Sequence, residues 1–174
     1  MKSWFPEILL ALAAFAVSAA GAAPRAIEPF TPSTWAGWQG DLAQPAVVVF
    51  TSTDCAHCPA VLERLTQAVQ ERRARRPAPG AASAAGSGAG LAVIAVVMDV
   101  APGQADATLL ARPHYRGADR LFAFAGPTAA LRFSVNPAWR GVTPYVAFLQ
   151  PGHPPTWVTG PPSAADIAAW AGPR

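Results

Sequence analysis

Residues 46–65 read AVVVFTSTDCAHCPAVLERL, and their character changes halfway. AVVVFTST (46–53) is an unbroken apolar, β-branched and aromatic run. Continuous rather than alternating apolarity predicts a central strand buried on both faces. From Pro59 the period lengthens. Val61, Leu62, Leu65, Ala68 and Val69 fall three and four apart, while Glu63, Arg64, Gln67 and Gln70 take the other side. That is an amphipathic helix, with Pro59 in its first turn, where a missing N–H costs nothing. ERRARR (71–76) closes it with cations that suit the negative end of the helix dipole. We read that run as a solvated helix end rather than as an acidic docking surface. Between strand and helix stand the chain's two cysteines, Cys55 and Cys58.

A C-x-x-C is a redox pair, half of a zinc site or a structural staple, and the rest of the chain weighs these. A structural zinc site takes about four ligands, but beyond the pair the sequence offers only His57, His114 and His153 at no supporting spacing. A bond between Cys55 and Cys58 closes a very short loop, which removes little entropy from the unfolded chain. Redox chemistry is the reading that remains. At a helix N-terminus, free N–H groups and the dipole stabilise a thiolate at Cys55, and Cys58 lies one turn further in.

The flanking sequence places this pair in an exported, single-domain protein. The chain has 174 residues, enough for one domain with a sizeable core. Its net charge of +3 makes nucleic acid a poor partner. Residues 1–22 have the form of a secretory signal peptide, with Lys2, an apolar stretch from Ile8 to Val17, and Ala20-Gly21-Ala22 as the cleavage pattern. The alternative is an uncleaved anchor, although Ile8–Ala23 falls short of the ~20 residues that span a bilayer. Export implies an oxidising compartment, in which thiols pair. Residues 23–39 read as an N-terminal extension, with Ser33 or Thr34 capping a short helix through Trp38. Residues 77–90 are an Ala/Gly-rich tract, expected to be a flexible surface loop inside a domain spanning 40–172.

Further along, 91–100 predicts a second buried strand, 103–112 a helix, 119–126 a short strand and 127–135 a short helix. Residues 145–149 and 156–159 form a hairpin about PGH. A final helix over 163–172 has Ser163 as N-cap, Asp166 completing a capping box, and Gly172 as its stop. The first two strands need a crossover and are parallel. The fold class is α/β, a mixed central sheet flanked by helices.

In VVVFTSTDCAHC, GVTPYVAFLQPGH and GPPSAADIAAWAG the chain resembles the thioredoxin superfamily, and more narrowly exported bacterial proteins of the thiol:disulfide interchange group. The resemblance implies a thioredoxin-like three-layer sandwich in a periplasmic protein that exchanges disulfides with protein thiols. Cys55 is then the nucleophile and Cys58 the resolving thiol. Pro144 is cis beside the pair, with Thr143 helping to present backbone groups to a substrate chain. No organic cofactor is implied, and a membrane redox partner would reset the pair.

The sequence also departs from the family. Asp54 stands where thioredoxins carry Trp, and a carboxylate there opposes a thiolate at Cys55. His57 favours one, and relatives that introduce or shuffle disulfides often have His at this position. Val49 replaces the buried acid that assists the resolving cysteine in thioredoxin. Trp139, shortly before Pro144, is the tryptophan to test for substrate contact; the others read as packing. Two other functions compete. One is a copper metallochaperone using both thiols with Met98 or His114, and the other is a thioredoxin fold serving only as an interaction module.

Overall fold

The computed structural model describes residue 24 and residues 26–75 and 90–172. The expected signal peptide and nearly all of the Ala/Gly tract lie outside the described residues. In chain order the elements are β1 (Ile27–Phe30), α1 (Pro32–Gly40), β2 (Ala46–Thr51), α2 (Cys58–Arg75) and β3 (Ala92–Val97). There follow α3 (Asp106–Ala111), a single 3-10 turn (Pro113–Tyr115), β4 (Arg120–Phe124), α4 (Thr128–Val135), β5 (Tyr145–Leu149), β6 (Thr156–Thr159) and α5 (Ala164–Ala171).

The strands form one mixed sheet in the order β1-β4-β3-β2-β5-β6. β2 pairs in parallel with β3, β3 with β4 and β4 with β1; β2–β5 and β5–β6 are antiparallel. Every residue of β2 is buried, as an unbroken apolar run requires of a central strand. Its side chains alternate between two cores. Val47 and Val49 meet Val61, Leu62 and Leu65 of α2, while Val48 and Phe50 meet the layer built by α1 and α4. α5 packs beside α2 on the first face and α1 beside α4 on the second, which gives the three-layer thioredoxin-like sandwich.

The second core is aromatic. Phe50 lies 4.9 Å from Trp139 and 5.7 Å from Phe30, centroid to centroid. Trp139 stacks on Tyr145 at 4.5 Å and Tyr145 on Trp157 at 5.0 Å, a ladder that starts at the loop before β5. Each such aromatic pair adds about 0.5–1.5 kcal/mol beyond its area burial.

The N-terminal segment differs from its sequence reading. Residues 27–30, which carried no predicted strand, form an edge strand paired with β4, and Arg120 of β4 donates to the Glu28 carboxylate from Nε and Nη2. The cap of α1 is Thr31, not Ser33 or Thr34: its hydroxyl accepts from Thr34 N–H at 3.2 Å, and the Thr34 hydroxyl accepts from the Thr31 N–H. A helix starting at Pro32 puts proline at N1, where its fixed φ is already helical. Trp35 then points into the aromatic core.

α5 begins as expected. The Ser163 hydroxyl accepts from Asp166 N–H at 3.1 Å and the Asp166 carboxylate accepts from Ser163 N–H at 2.8 Å. The Ser163 side-chain hydroxyl, then its backbone N–H, hold the Asp166 carboxyl below its ordinary value. A depressed carboxylate stabilises the fold above its unfolded pKa, and that contribution is lost as pH falls through the folded one. Ser163→Ala removes the capping hydroxyl and is expected to lower Tm by a few degrees at neutral pH. The gap to the parent should narrow in melts below the ordinary carboxylate value of 3.8. A gap that widens on acidification would contradict this coupling.

Candidate functional site

β2 ends at Thr51 and α2 begins at Cys58, so both cysteines lie in or beside one turn at the C-terminal end of a central strand. They are joined as a disulfide with Cα atoms 5.5 Å apart. Their exposure is unequal: Cys58 is 1% exposed and packed under the first turn of α2, while Cys55 is half-buried at the surface. The turn is tied by Cys55 N–H donating to the Ser52 carbonyl at 3.2 Å and by Cys58 N–H donating to the Cys55 carbonyl at 3.3 Å.

Asp54 and His57, the residues expected to tune the thiolate, are both exposed. Asp54 is not free to swing, because its carboxylate accepts a 2.6 Å hydrogen bond from the Ser52 hydroxyl. Val49, two residues before Thr51, is fully buried in the core beneath α2.

The Thr143–Pro144 peptide bond is cis. β5 pairs antiparallel with β2, with Tyr145 opposite Phe50, so the loop before β5 arrives beside the end of β2. There the Thr143 hydroxyl lies 3.3 Å from that of Ser52. Positions 91 residues apart thus meet three residues before Cys55. The loop is braced from below: Trp139 Nε1 donates to the Val142 carbonyl at 3.0 Å, and Asn136 Nδ2 donates to the Tyr145 hydroxyl at 2.7 Å. Burial raises the Tyr145 phenol above its ordinary value, opposed by the Asn136 bond. Trp139 is 6% exposed, so its ring shapes this loop from inside the core.

Just upstream, Gly141 has φ +87°, and a β-carbon there would meet the Arg132 guanidinium at 2.0 Å. The left-handed backbone is what favours glycine here, since the arginine tip could swing aside. Val142 and Phe133, 52% and 67% exposed, are the exposed large apolar side chains among the described residues. Val142 adjoins Thr143, and Phe133 follows Arg132 on α4.

The histidines and Met98 do not converge. Met98 packs in the aromatic core on the α1/α4 face. The His114 ring lies 4.2 Å from that of Tyr115, tilted against it, and Tyr115 belongs to the opposite core. Burial, then the Arg112 guanidinium, hold His114 below its ordinary value, so it is neutral at pH 7. His153 is exposed in the β5–β6 turn. Among the described residues no group of three or more His, Cys, Asp or Glu side chains could hold a metal ion. A hollow of about 510 Å³, lined by Arg73, Leu91, Gln150 and Trp170 among others, sits at the opposite end of the sheet and includes neither cysteine.

Two residues that shape the turn were not singled out from the sequence. Asp99, two residues beyond β3, accepts from Thr53 N–H at 3.0 and 2.9 Å, and Arg112 Nη1 donates to the Thr53 carbonyl at 3.0 Å. The signal was present in the register. Thr51 pairs with Val97, and two residues on, Thr53 faces Asp99.

No family model matches the chain, and no curated protein matches it. Solved structures do. A thiol:disulfide interchange protein of the thioredoxin family from Chlorobium tepidum aligns at TM-score 0.50 and 15% identity, over 82% of this chain and 86% of that one. A secreted thiol-disulfide isomerase from Corynebacterium glutamicum aligns at 0.49 and 18%, over 74% and 69%. A secreted disulfide oxidoreductase from Mycobacterium tuberculosis aligns at 0.45 and 17%, over 73% and 82%. At these identities the likeness bears on the fold, and the Chlorobium structure supports the thioredoxin-like architecture seen here. Among the described residues no helix is long and apolar enough to cross a membrane.

Proposed function

We propose that this thioredoxin-fold chain is an exported, periplasmic thiol:disulfide oxidoreductase that exchanges disulfides with protein substrates through Cys55 and Cys58. The observation that carries the reading is the asymmetry of the pair: one half-buried cysteine and one buried cysteine, bonded to each other at a strand-to-helix junction beside a cis-proline loop.

Starting from the disulfide, a substrate thiolate attacks the Cys55 sulfur. The Cys55–Cys58 bond breaks, and Cys58 leaves as a thiolate at the N-terminus of α2. Its negative charge is favoured there by the helix dipole. A second substrate thiolate attacks the substrate sulfur of the mixed disulfide, and Cys55 leaves. Two electrons have passed from the substrate dithiol to the pair, and the substrate holds the new disulfide. The reverse sequence reduces a substrate. Thr143 and Pro144 present the backbone along which a substrate chain lies, and exposed Val142 gives it an apolar surface. A membrane redox protein resets the pair.

His57 points to an oxidising couple. The reduction potential against glutathione tests this, since related dithiols range from about −270 to −120 mV. We expect a value in the upper half of that range; one near −270 mV would make the protein a reductase and remove the role given to His57.

A further inference from the structure

Thr53, two residues before Cys55, is gripped from both sides by charge. Both Asp99 carboxylate oxygens accept its N–H, and its hydroxyl also donates to Asp99 Oδ2. Its carbonyl accepts from the Arg112 guanidinium at 3.0 Å. Asp99 and Arg112 come from segments 46 and 59 residues away. Thr53 is only half-buried, so water could serve its backbone groups. Holding two charged side chains there instead costs conformational entropy, most of it at Arg112, and charge-assisted bonds are about twice as strong as neutral ones.

We propose that Asp99 and Arg112 are positioning residues that fix the turn carrying Cys55 and, through their opposite charges, set the balance between its disulfide and dithiol forms. The roles in exchange rest on the function proposed above; the redox balance does not. Reduction creates negative charge at Cys55 that the disulfide lacks. Asp99 opposes that charge and Arg112 favours it. Asp54 and His57 act on the same sulfur from within the turn. Arg140, three residues before Thr143, is the nearest cation in sequence on the cis-proline side. His114 is neutral at pH 7, and burial keeps the Tyr115 hydroxyl protonated above its ordinary range, so neither adds charge.

The test measures the equilibrium constant of the full chain with glutathione, together with hydrogen exchange at the Thr53 amide by NMR. Asn at 99 keeps one acceptor for that amide and removes the charge; Ala removes both. Asp99→Asn should favour the dithiol about threefold, ~14 mV, with Thr53 exchange close to the parent. Asp99→Ala should shift the same way and speed Thr53 exchange at least tenfold. Arg112→Met should favour the disulfide by a similar factor. A purely structural clamp would shift Asp99→Asn and Arg112→Met alike or not at all, and either result overturns the proposal. If Asp99→Ala does not fold, the opposed signs of the other two variants still decide it. A parent that equilibrates with glutathione but exchanges with no protein disulfide would instead overturn the proposed function and leave the redox effect of the clamp standing.

Discussion

A Cys55→Ser chain is expected to catalyse no disulfide exchange above the uncatalysed background. Serine has no sulfur to form or break the mixed disulfide, and its hydroxyl is not ionised near neutral pH. The fold should survive, because Cys55 is half-buried and the bond it makes to Cys58 closes a loop with a sequence separation of only 3, too short to constrain the unfolded chain much. Cys58→Ser has a different signature. Cys55 remains available, but no internal thiol can release a bound substrate, so a covalent protein–substrate species should accumulate under non-reducing electrophoresis. Assay on a reduced or scrambled protein substrate separates the two variants. Full activity in the Cys55→Ser chain would end the proposed mechanism, and a Cys58→Ser chain that turns over like the parent would reverse the order of attack.

Phe50→Ala is expected to cost about 3–5 kcal/mol of folding stability. The ring is fully buried and touches Phe30, Trp35, Phe124, Trp139 and Tyr145. Alanine leaves a cavity walled by rigid rings that close on it poorly. For a domain with typical stability that is about a fifth of the total or more, so Tm should fall by roughly 10 °C. A urea melt in which the midpoint drops while its slope is unchanged would show that the native state was weakened. A loss below about 1 kcal/mol would mean that the aromatic layer repacks.

Where the sequence carried strong periodic signals, it was legible. β2 and α2 announce themselves by an abrupt change of period, and the box at Ser163 and Asp166 by residue types at fixed offsets. The cis peptide at Thr143–Pro144 was expected from TPYVAF, on the strength of the family resemblance. β1 was not legible. IEPF is four residues long, contains Pro29, and buries only its ends, so neither alternation nor an apolar run marks it. The cap at Thr31 was missed because four hydroxyl or proline residues stand together in TPST, and the weight of Pro32 at N1, which selects Thr31, was not applied. The Ser52–Thr143 and Thr53–Asp99 contacts join residues 91 and 46 apart. Such contacts follow from strand register, which local pattern does not specify.

Both margins of the sheet are four-residue strands, β1 and β6. An open sheet margin is a template for any unpaired strand it meets. β1 is a poor template. Pro29 has no N–H to give, the strand is short, and Glu28 and Arg120 place a charged pair across it. β6 is equally brief, ending at Thr159. Under the function proposed above, a client segment would gain little by adding to the sheet, and its contact would be left to the loop beside the cysteines, so that release would follow the chemistry of the sulfur bond and not the slow unzipping of a ladder.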